Sequence, residues 1–105
     1  MAKKFKMYLG GEWVDREEKI RVVNPYDNKL VATVPSASKK DYTRAITLAH
    51  KAFAETRELP SYRREAILRA IADGIEKDIE KFTRMMCLEL GKAYRDARGE
   101  VTRSI

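Results

Sequence analysis

Two residues in this chain are of the kind that forms covalent intermediates or moves protons, and a third could ligate a metal. Cys87 is the only cysteine. A reactive thiol needs its pKa lowered by a nearby cation, a base or a helix N-terminus. The pattern around Cys87 places it late in a helix, where the dipole disfavours a thiolate, so it is read as structural. Glu89 opens the run Glu89-Leu90-Gly91-Lys92. A glutamate serving as a general base needs burial or a neighbouring charge that raises its pKa, and here a lysine follows that would lower it. His50, the only histidine, sits between Ala49 and Lys51 on a helix flank with no partner at metal-ligand spacing. Met85 and Met86 fall at helical spacing with Phe82 and read as core filling. No Gly-x-Gly-x-x-Gly or Walker loop occurs to cradle a phosphate. The pattern therefore assigns no catalytic, no cofactor-binding and no metal-ligating residue.

The elements around these residues can be read more firmly. Residues 1–35 carry the signature of β-hairpins or a small meander. Met7-Tyr8-Leu9 and Glu12-Trp13-Val14 flank Gly10-Gly11, which tolerates the positive φ of a tight turn. Ile20 and Val22, then Leu30, Ala32 and Val34, alternate with more polar neighbours on either side of the turn-forming Asn24-Pro25-Tyr26-Asp27-Asn28. A helix is predicted over 38–57, with Ser38 as cap and Asp41 completing a capping box. Its narrow face is Tyr42, Ala45, Ile46, Ala49, Ala52 and Phe53. Pro60 and Ser61 then introduce one long helix over 61–90, striped by Ile67, Ile71, Ile75, Ile79, Phe82 and Met86. Gly74 within it suggests close packing against a neighbour, and Gly91 suits a left-handed cap. Over 92–105, Tyr94, Ala97, Val101 and Ile105 resume a helical phase with no stop signal. The expectation is an α+β piece, strands followed by two to three helices, cut from something larger.

At 105 residues, 44% of them hydrophobic, the chain can hold one modest core and is too apolar for disorder. One cysteine excludes a disulfide framework, and no apolar run reaches the ~18 residues of a membrane span. Nothing after Met1 resembles a signal peptide, so a cytoplasmic protein is expected. The net charge of +6 is dispersed: residues 1–60 carry twelve basic against eight acidic side chains, and 61–105 carry ten against eight. Glu65 with Arg69, Asp73 with Lys77 and Glu80 with Arg84 are (i, i+4) pairs on a solvated helix face. Only Lys3, Lys4 and Lys6 cluster, on an end expected to fray. The charge describes a surface better than a nucleic-acid site.

Taken in order, the motifs are familiar. Tyr8 to Val14, Val23-Asn24-Pro25-Tyr26-Asp27 and Val31 to Pro35 strongly resemble the opening of NAD(P)-dependent aldehyde dehydrogenases. The likeness continues through Ala45-Ile46, Ala52-Phe53, Arg64, Ile67-Leu68 and Glu89 to Lys92, and ends at Ala97-Arg98-Gly99-Glu100-Val101. Each motif is weak alone; the ordered series is specific, and it suits the succinate-semialdehyde-like and lactaldehyde-like branches. The resemblance implies the N-terminal part of a Rossmann-like α/β coenzyme-binding domain. It also implies NAD or NADP as hydride acceptor for the whole enzyme, a cysteine thiohemiacetal formed in a catalytic domain outside this chain, an aldehyde substrate and a homo-oligomer. The remainder of the enzyme would then be this chain's partner, with no membrane or nucleic acid involved. Neither Cys87 nor Glu89 matches the family's catalytic residues, because the family's glutamate lies in a Glu-Leu-Gly-Gly-Lys segment and Glu89 lacks the second glycine. A structural cation, held in many members by backbone oxygens near Val22-Val23 and an acid near Glu100, would need ligands from elsewhere. On this account the 105 residues are inactive alone and leave apolar surface uncovered. The competing reading is a free-standing helical interaction module, a basic adaptor for nucleic acid, which requires a basic stripe and steep salt dependence.

Overall fold

The computed structural model describes residues 2–105, and it begins with a strand that the sequence does not announce. β1 (Lys3–Lys4) pairs in parallel with β5 (Leu30–Pro35), Lys3 opposite Ala32 and Lys4 opposite Thr33. The N–H of Phe5 extends the pairing by donating to the Thr33 carbonyl at 3.0 Å. The lysines expected to fray instead form an edge strand, because the backbone of β5 pairs regardless of side chain and edge lysines stay solvated. β4 (Lys19–Val23) lies on the other side of β5, giving the order β1-β5-β4. A separate antiparallel hairpin joins β2 (Met7–Leu9) to β3 (Glu12–Val14), with Tyr8 opposite Trp13. Its turn is Gly10-Gly11, at φ 59° and 87°, as the two-residue turn requires. A Cβ on Gly10 would stand 2.3 Å from Leu48 Cδ1, so the glycine also admits the close approach of the first helix.

The chain divides into two units. Residues 1–22 and 30–59 form the first; residues 23–29 and 60–105 form the second. In the first, α1 (Lys39–Thr56) starts with the expected capping box: the Ser38 side chain accepts from the Asp41 N–H, and the Asp41 carboxylate accepts from the Ser38 N–H. Leu9 of the hairpin and Ala32 and Pro35 of β5 are buried here.

The second unit holds three helices over 61–105, where one long and one short helix were expected. The stretch 61–90 is α2 (Ser61–Lys77) and α3 (Ile79–Leu90), interrupted at Asp78, whose φ of −101° and ψ of 17° leave the helical region. Aspartate is a weak helix former, and the break lets α3 follow α4 (Tyr94–Arg103) instead of continuing the line of α2. Thr83 of α3 and Ala97 of α4 are both fully buried, and Val101 joins them. These small residues allow the two helices to pack closely. Gly91, at φ 65°, ends α3 as a left-handed cap, and its N–H donates to the Cys87 carbonyl at 3.0 Å. Two further expectations are corrected. Ser61 is the first helical residue, not the cap; that position is Pro60, already extended at ψ 156° and making no side-chain cap bond. Gly74 meets no close neighbour within this chain, where a Cβ would find open space.

Candidate functional site

The polar side chains gather at junctions between elements. In the first unit, Asp41 is buried and forked by Arg16, whose Nε donates to Oδ2 at 3.0 Å and whose Nη2 donates to Oδ1. The Ser38 N–H and hydroxyl also donate to the same carboxylate, each at 2.9 Å. The Arg16 fork and the Ser38 bonds hold Asp41 well below the usual carboxylate range. The loop after β3 is thereby fastened to the start of α1. In the second unit, Glu80 accepts from Tyr94 Oη at 2.6 Å, Arg84 Nε at 3.0 Å and Arg98 Nη1 at 3.3 Å. Tyr94 first, then Arg84 and Arg98, lower its pKa. Lys92 likewise pairs with Glu100 and lowers that carboxyl. All three carboxylates have their charge met by neighbouring side chains and hold the elements together. A general base needs the opposite tuning.

The residues weighed for chemistry are dispersed. Cys87 is half-buried near the end of α3, Glu89 is exposed two residues on, and His50 is exposed on α1. Glu100 is engaged by Lys92, and among the described residues no group of three or more His, Cys, Asp or Glu could hold a metal ion. The left-handed glycines Gly10, Gly11 and Gly91 lie in the hairpin turn and at the α3 cap, and a Cβ on Gly91 would meet the Pro25 ring at 3.6 Å.

What each unit does present is apolar surface. On α1, Ile46 and Phe53 are 70% and 58% exposed, and a groove of about 540 Å³ runs between Tyr8, Gly10 and the small residues Ala45 and Ala52. The Tyr8 and Trp13 rings meet on the hairpin with centroids 5.0 Å apart and planes tilted by 56°, and both side chains are exposed. On α2 no residue is buried. The accessible surface of the chain is 8831 Å². Two separate compact bodies of half its 12.1 kDa mass would expose roughly 7,300 Å² in all. Even granted two independent units, the excess is large, and it is carried by helix faces that sequence periodicity marks as interior. The exposed surface is a set of apolar helix faces. Sequence reasoning found their residues by spacing and expected surface left uncovered, but it could not say which faces the chain itself would cover.

Known proteins supply the context for those faces. Residues 13–105 match the model of the aldehyde dehydrogenase family, and the chain belongs to that family. It is 34% identical over 102 residues to malonate-semialdehyde dehydrogenase 1 of Geobacillus kaustophilus, covering 95% of this chain and 21% of that protein. It is 33% identical over 99 residues to lactaldehyde dehydrogenase of Methanocaldococcus jannaschii, covering 94% and 21%. Among solved structures, aldehyde dehydrogenase 21 of Physcomitrella patens, in complex with the reaction product succinate, superposes with a TM-score of 0.94 at 34% identity over 98% of this chain. The chain spans about a fifth of the length of these relatives, and it is an α+β piece corresponding to their N-terminal portion.

Proposed function

We propose that this chain is the scaffold-forming N-terminal portion of a cytoplasmic, homo-oligomeric enzyme that oxidises an aldehyde to a carboxylate with hydride transfer to NAD or NADP. The chemistry belongs to the parts absent from the chain: a cysteine there forms the thiohemiacetal, and the dinucleotide is held there. The 105 residues contribute no catalytic, cofactor-binding or metal-ligating side chain and are inactive alone. They present preformed helix faces for the rest of the fold. The observation that carries this reading is the coincidence of the family match with uncovered apolar faces on α1 and α2. An adaptor for nucleic acid would need a basic stripe, and Arg84 of α3 and Arg98 of α4 are instead drawn in around Glu80, while Glu65 draws in Arg69 on α2.

The test is a chimera in which these 105 residues replace the corresponding portion of the Methanocaldococcus lactaldehyde dehydrogenase. Aldehyde-dependent NAD(P)H formation by the chimera, with none from the chain alone, is the expected result. A folded chimera without that activity, together with tight and steeply salt-dependent binding of the chain to a DNA duplex, would overturn the assignment in favour of the adaptor.

A further inference from the structure

No further inference is drawn: the strongest candidate, the apolar groove between the β2–β3 hairpin and α1 lined by Tyr8, Gly10, Ala45 and Ala52, lies on surface assigned above to the remainder of the same fold, and nothing in the structure shows any other occupant.

Discussion

Asp41 shows how much a single residue settles here. Its carboxylate serves Ser38 as a cap and Arg16 as a counter-ion at the same time, so Asp41→Asn should lower the melting temperature. The pH dependence has a definite sign. The folded-state pKa lies below the ordinary aspartate value of 3.8, so the stabilisation is fully present above about pH 4 and is lost as pH falls through the folded value. Melting curves of the parent and Asp41→Asn should therefore converge as pH drops below 4 and stay apart at neutral pH. Glycines give a second contrast. Gly91→Ala, with ordinary contact to Pro25, should cost about 1–2 kcal/mol for its left-handed φ. Gly10→Ala adds a clash with Leu48 to the same strain and should cost about 2–4 kcal/mol by denaturant titration.

At the scale of elements, features specified within a few neighbours were legible. The Gly10-Gly11 hairpin, the Ser38–Asp41 box and the Gly91 cap depend on local backbone chemistry, and each was read from residue type alone. β1 was not legible, because its partner Ala32 lies nearly thirty residues away and a pair of lysines carries no strand signal. The division of α2 from α3 escaped for a related reason: the isoleucine spacing runs unbroken through Asp78, and only the packing of α3 on α4 bends the line. Of the candidate surface, the apolar stripes were visible and the choice of stripe was not. Thr83 and Ala97 form the covered contact, while the larger side chains of α2 stay in water. The seam between α3 and α4 therefore depends on smallness, and Ala97→Leu should destabilise the chain by about 1–3 kcal/mol in thermal or chemical denaturation.

For the molecule as a whole, burial is the governing quantity. The core residues of either unit are few and small, whereas aromatic and isoleucine side chains stand in solvent. The chain alone should bind 8-anilinonaphthalene sulfonate with a marked fluorescence rise, and the signal should fall in Ile46→Asp and Phe53→Asp variants. The short strand β1 has its own consequence for handling the protein. Lys3 and Lys4 act as gatekeepers: their charges sit on the outermost strand and discourage another molecule from adding to the sheet. Removing residues 1–5 would bare the Ala32–Thr33 edge of β5 with no lysine to guard it. Such a shortened chain should nucleate thioflavin-positive fibrils sooner than the parent under gentle agitation, and an affinity tag placed where it pries β1 loose should bring on the same fault.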